Sequence, residues 1–153
     1  MSARSRPTDS VTNAVRLAIY RAIERRGSAP GAADVARALD LESAVVEDAY
    51  RALADAHVIV LHPQTVEIKW APPFSAVKTP FLVRAGRSAW HAPCAWDAFG
   101  IPAALDCDVH IEAVCARSGD PVACGVEHGL AYGDGLIHLV VPAAHFWDDI
   151  AYT

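Results

Sequence analysis

Two consecutive prolines, Pro72 and Pro73, stand near the middle of the chain, and the hydrophobic rhythm differs on either side of them. Proline fixes φ and has no backbone N–H, so neither a helix nor a sheet ladder is expected to run through such a pair. Ala71–Phe74 therefore reads as a rigid linker. Before it, apolar residues recur at helical spacing; after it, they recur in short alternating runs bounded by Gly, Pro, Asp and Ser. This order of a helical front and a β-rich back predicts an α+β protein.

The front half divides further. Residues 1–10 are polar and expected to be disordered. From Val11 a helical stripe runs through Val15, Ala18, Ile19, Ala22 and Ile23, with Gly27 placed to close it. A short helix is predicted over Ala32–Leu39. A third is predicted from about Glu42 to Ala56, with Val45, Val46, Ala49, Tyr50 and Leu53 facing inward. His57–Leu61 and Thr65–Trp70 then form a β-hairpin. Three helices and a two-stranded wing make residues 11–71 a winged-helix-like module, and 72–153 a small mixed or antiparallel β-sheet domain with short helices. In the back half, strands are predicted at Thr79–Arg84, Ser88–His91, Val109–Cys115, Pro121–Glu127 and Leu136–Val141. Pro93 opens a short helix from Cys94 to about Phe99 that Gly100 closes, and a final helical stretch follows Pro142.

Composition excludes several classes. The 153 residues are 53% hydrophobic and 20% charged, which is globular and not disordered. Net charge is −5, and all of it lies in the back half, which has four Lys/Arg against nine Asp/Glu. The predicted third helix carries Glu42, Glu47, Asp48 and Asp55 against one Arg51, a poor match to a phosphate backbone, so no nucleic acid is expected as a partner. No apolar run is long enough to span a bilayer, and the N-terminus lacks a secretory pattern. The expected location is the cytoplasm, where Cys94, Cys107, Cys115 and Cys124 are reduced. Their spacing contains no C-x-x-C zinc signature.

The segment Trp90-His91-Ala92-Pro93-Cys94-Ala95-Trp96-Asp97 carries the most chemistry. Cys94 and Asp97 are three apart at a helix start, on one face. Amides and the helix dipole there favour a thiolate, whereas the carboxylate disfavours a second negative charge. Such a pair can share one proton, surrendering it when a soft metal takes the sulfur and delivering it elsewhere. A buried structural cysteine beside a capping carboxylate has the same spacing. Trp90, Trp96, Phe99, Phe146 and Trp147 are candidates to line an apolar pocket or simply to pack the core. His110, His128 and His138 are candidates to meet across strands, and Asp148-Asp149 to bind a cation or remain solvated.

This segment resembles the alkylmercury lyase family, in which a Cys-Ala-x-Asp stretch follows a β-hairpin at the head of a short helix. Cys115-Ala116-Arg117-Ser118-Gly119-Asp120-Pro121-Val122 and Leu139-Val140-Val141-Pro142 resemble further segments of that family. The resemblance implies that Cys94 binds mercury and Asp97 protonates the mercury-bound carbon. It implies a small organomercurial substrate and no cofactor, mercury being substrate and product. It also implies a second Cys downstream of the Leu-Val-x-Pro strand and its following helix, about where Thr153 stands; residues 142–153 contain none. Two other functions remain open: soft-metal capture by Cys94 without bond cleavage, and a winged-helix regulatory or interaction protein.

Overall fold

The computed structural model describes residues 9–152. Helix α1 spans Asp9–Arg26, two residues earlier than the stripe predicted, so Asp9 and Ser10 are helical; residues 1–8 lie outside the described residues. Helix α2 spans Ala32–Leu39 and α3 spans Ser43–Asp55. Gly27 follows α1 with a φ of 70°, and its N–H donates to the Ile23 carbonyl. Glycine is needed there twice over, because a Cβ would stand 2.8 Å from the Ala89 carbonyl oxygen. Val15, Ile19 and Ile23 of α1 meet Val46, Ala49, Tyr50 and Leu53 of α3 in the core, as the 3.6-residue period requires. On the outer face of α3, Arg51 is bound to Glu47 and Asp48, so its one basic residue is already neutralised.

Eight strands follow: β1 Val60–Leu61, β2 Ile68–Ala71, β3 Phe74–Ser75, β4 Leu82–Ala85, β5 Ser88–His91, β6 Val109–Val114, β7 Pro121–Glu127 and β8 Leu130–Tyr132. They form one sheet in the order β1-β2-β3-β5-β4-β6-β7-β8, with every neighbouring pair antiparallel. The protein is thus α+β, with three helices at the front, one long sheet behind them and a further helix between β5 and β6.

Four expectations are corrected. Ala71–Phe74 is not a linker: Ala71 pairs directly with Phe74, and Pro72-Pro73, joined by a cis bond, form the turn of the β2–β3 hairpin. Neither proline has to donate to the ladder at a turn, so the pair is tolerated inside a continuous sheet. The helix after Pro93, α4, spans Ala95–Leu105 and runs through both Gly100 and Pro102. Ala98, Ile101 and Pro102 are buried, and this packing offsets the lost hydrogen bond at Pro102. Leu136–Val141 is not a strand; Leu136 is 99% exposed, and β8 forms instead at Leu130–Tyr132. After Pro142 the helical stretch is a single 3₁₀ turn, Ala143–His145.

Trp90 of β5 joins the two halves. Its indole N–H donates to the Ile23 and Glu24 carbonyls at the end of α1, 3.1 and 3.2 Å away. Carbonyls of the last helical turn have few partners within the helix; Trp90 serves that of Glu24 and shares that of Ile23 with the Gly27 N–H. Its ring meets Phe74 edge-on, and Phe74 meets Tyr20 of α1 in the same way. Helix α4 packs across β3, β4, β6 and β7, with its Gly100 against Pro73 of the β2–β3 turn. None of the helices in the described residues is long and apolar enough to cross a membrane.

Candidate active site

Pro93 cannot continue β5, and the chain turns there into α4 with Cys94 as its N-cap residue, in an extended conformation (φ −147°, ψ 177°). Ser, Thr, Asp and Asn usually cap by accepting an N–H through oxygen; here sulfur takes that place. The Asp97 N–H donates to Cys94 Sγ at 3.5 Å, and the Cys94 thiol donates to Asp97 Oδ2 at 3.2 Å. The three-residue spacing therefore yields a reciprocal arrangement: the first half is that of a capping box, and the return bond runs from the thiol, not from the N-cap amide, to the carboxylate. Both side chains are half-buried, so neither is sealed in the core.

Electrostatics at the pair depart from what the helix N-terminus alone predicts. Burial is the largest influence on Cys94 and pushes its pKa up to about 11; the Asp97 charge and hydrogen bond add to this, against the lowering effect of the Asp97 and Trp96 amides. Burial also raises the Asp97 carboxyl, opposed by the thiol's hydrogen bond. Of the two opposing influences read at the helix start, the carboxylate, joined by desolvation, outweighs the amides that stabilise the anion. At neutral pH the proton rests on sulfur and points at the carboxylate.

The aromatic candidates do not converge. Trp90 belongs to the core at 5% exposure, Trp96 is 62% exposed between the two site residues, and Trp147 stacks on His57 at 4.3 Å. Phe99 instead borders a shallow hollow of about 570 Å³ shared with Cys107 and His128, on the side of α4 toward β7. His110 pairs with the Tyr132 hydroxyl, and the His128 amide donates to Asp108, so the strand histidines form no cluster. Asp148 pairs with His145, while Asp149 accepts the Ala151 and Tyr152 amides as a local cap. Among the described residues no group of three or more His, Cys, Asp or Glu could hold a metal ion. Cys94 and Asp97, by contrast, are brought together as their spacing implies.

Sequence reasoning missed Tyr20. It lies in α1, some seventy residues before the motif, and its hydroxyl donates to the Pro72 carbonyl at 3.0 Å and the Val58 carbonyl at 3.2 Å. Burial raises its pKa; Arg16 opposes that rise and the Asp97 charge adds to it, which puts the phenol in the electrical neighbourhood of the site.

The chain belongs to the alkylmercury lyase family: the family (MerB) matches residues 74–153, just over half of the sequence, and includes the whole Cys94–Asp97 segment. Among solved structures it is similar to the mercury-bound form of MerB2, with a TM-score of 0.63, 22% sequence identity and 82% of this chain covered. The chain spans 60% of the length of that structure's chain. Comparison with curated proteins gave no match.

Proposed function

We propose that the protein cleaves organomercurials, R–Hg⁺, by protonolysis, with Cys94 as mercury-binding nucleophile and Asp97 as proton relay. The observation that carries this reading is the 3.2 Å hydrogen bond from the Cys94 thiol to Asp97. Mercury is soft and prefers thiolate sulfur. As the metal approaches, the sulfur–hydrogen bond breaks, its proton passes to the Asp97 carboxylate, and a sulfur–mercury bond forms. The organic carbon now lies beside a carboxylic acid. That acid returns the proton to carbon while the electron pair of the carbon–mercury bond becomes the new carbon–hydrogen bond. The products are R–H and mercury(II) on sulfur; mercury keeps its oxidation state, so no electron donor enters the balance.

The raised pKa values suit each step. A thiol that stays protonated until a metal arrives keeps the proton available, and a carboxyl with elevated affinity for protons can hold it between the two transfers. Half-burial strengthens the electrostatics and leaves an approach for a small ligand. The test is release of hydrocarbon from phenylmercury: benzene appears with the wild-type chain and is lost in Cys94→Ala with the fold retained. Undiminished release in Cys94→Ala removes the proposal. A second reading, capture of mercury without cleavage, draws support from the bonding of Cys94, whose described side-chain partner is a carboxylate and not a second thiol. Stoichiometric mercury binding with no benzene in the same assay selects it.

A further inference from the structure

We propose that Tyr20 is a positioning residue for the Cys94–Asp97 pair, acting through the Pro72-Pro73 turn: its hydroxyl holds the turn, and the turn holds α4. The chain of contacts is short. The Tyr20 hydroxyl donates to the carbonyl of Pro72 in the β2–β3 turn and to that of Val58 just before β1, fastening two stretches of the sheet's front edge to α1. Pro73, the next residue, lies against Gly100 of α4 so closely that a Cβ on Gly100 would stand 3.1 Å from the Pro73 Cβ. Gly100 is three residues beyond Asp97 and six beyond Cys94, on the same helix. The Tyr20 ring is held in turn by its edge-on contact with Phe74, directly after the two prolines. A glycine inside α4 is costly for the helix itself, and close approach to Pro73 supplies a reason for its place there.

The consequence is directional. Removing the hydroxyl frees the Pro72 carbonyl, loosens the seat of Pro73 on α4, and lets the first turn of α4 shift. The Cys94–Asp97 hydrogen bond spans half-buried side chains only three residues apart, so a small rotation of that turn separates them. The front helices then serve the site as a brace.

Tyr50 provides the matched comparison. It is also a tyrosine of the helical front, fully buried, with its hydroxyl donating to the Pro30 carbonyl at 3.1 Å, but it braces the α1–α2 connection and not the turn. The experiment measures the alkylation rate of each cysteine at one fixed pH by peptide-resolved mass spectrometry in the full chain, with iodoacetamide as probe. In Tyr20→Phe, Cys94 is expected to gain reactivity several-fold relative to Cys107 and Cys124, while Tyr50→Phe leaves that ratio unchanged even if it lowers Tm more. Gly100→Ala, which favours the helix yet presses on Pro73, is expected to move the ratio in the same direction, and it tests the idea if Tyr20→Phe does not fold. An unchanged ratio in the folded variants, or an equal change in Tyr50→Phe, overturns the proposal.

The kinetic arm rests on the lyase reading: kcat for hydrocarbon release in Tyr20→Phe falls on the order of tenfold to a hundredfold with KM retained. A shifted alkylation ratio with no hydrocarbon from wild type leaves the brace standing and removes the lyase reading alone.

Discussion

Cys94 and Cys115 sit in nearly the same local frame, and the contrast between them shows what the frame does not decide. Each begins a Cys-Ala-x-x stretch, and each sulfur is approached by the amides of the second and third residues beyond it: Trp96 and Asp97 for Cys94, Arg117 and Ser118 for Cys115. At Cys115, in the turn between β6 and β7, the Ser118 side chain and those amides lower the thiol's pKa. At Cys94, burial and the Asp97 carboxylate drive it up to about 11. Judged by thiolate content alone, Cys115 is the reactive cysteine. For the protonolysis proposed above it is Cys94, whose thiol is hydrogen-bonded to the Asp97 carboxylate, whereas Asp120 reaches Cys115 through its charge. Nucleophile strength is supplied by the metal's affinity for sulfur; the scarce component is the proton donor placed beside the bond to be broken.

The comparison breaks most decisively at the two sulfurs. Cys94→Ala is expected to lower hydrocarbon release by at least about a thousandfold, as for other groups that bind the reacting centre. Cys115→Ala is expected to leave the rate within about twofold on the same logic. Equal losses in the two variants contradict the assignment.

Asp97→Asn comes next, with a loss of about 10²–10⁴-fold, the usual worth of a positioned acid or base. Its effect on stability has the opposite sense. A carboxyl whose folded pKa is raised contributes stability at low pH that is lost as pH rises through that pKa, so the ionised form of Asp97 is a burden on the fold. Asparagine carries no charge, and Tm by calorimetry at pH 7 is expected at or above wild type; a fall of several degrees contradicts this.

The pH dependence of alkylation sharpens the same contrast. Cys115 is expected to react first near neutral pH, whereas Cys94 should gain rate up to about pH 11 as its thiol ionises. In Asp97→Asn the Cys94 profile should move to lower pH, since the carboxylate's charge and hydrogen bond no longer oppose the thiolate. The smallest effect is at Ser118→Ala, which should move the Cys115 profile modestly upward and leave that of Cys94 in place.

Much of the fold was legible because local signals agreed with the tertiary answer. The bounds of α2, β5 and β7 coincide with their predicted ranges, and four residues of the predicted stripe of α3 are buried. The misses are places where distant contacts override local chemistry. Pro72-Pro73 reads as a break until β2 and β3 are seen to pair across it. Gly100 and Pro102 read as a helix end until packing on the sheet carries α4 onward. Leu136–Val141 has a strand's composition, but the described sheet ends at β8 and Leu136 stands exposed, unpacked against it. At the site, spacing revealed the Cys94–Asp97 pair and the opposed pulls of dipole and carboxylate, but not the burial that is the largest influence on the sulfur, because desolvation is not visible in sequence. Tyr20 was invisible for the same reason: its partners lie 38 and 52 residues away.

The central claim is that capture and cleavage are separate acts of two side chains, and a single-turnover experiment with Asp97→Asn tests it most directly. Phenylmercury is mixed with excess protein in D₂O, protein-bound mercury and released monodeuterobenzene being followed together. Mercury should load onto the variant as it does onto wild type, with benzene release slowed by at least about a hundredfold. Benzene released by the variant at the wild-type rate contradicts the account, since the proton must then come from somewhere other than Asp97.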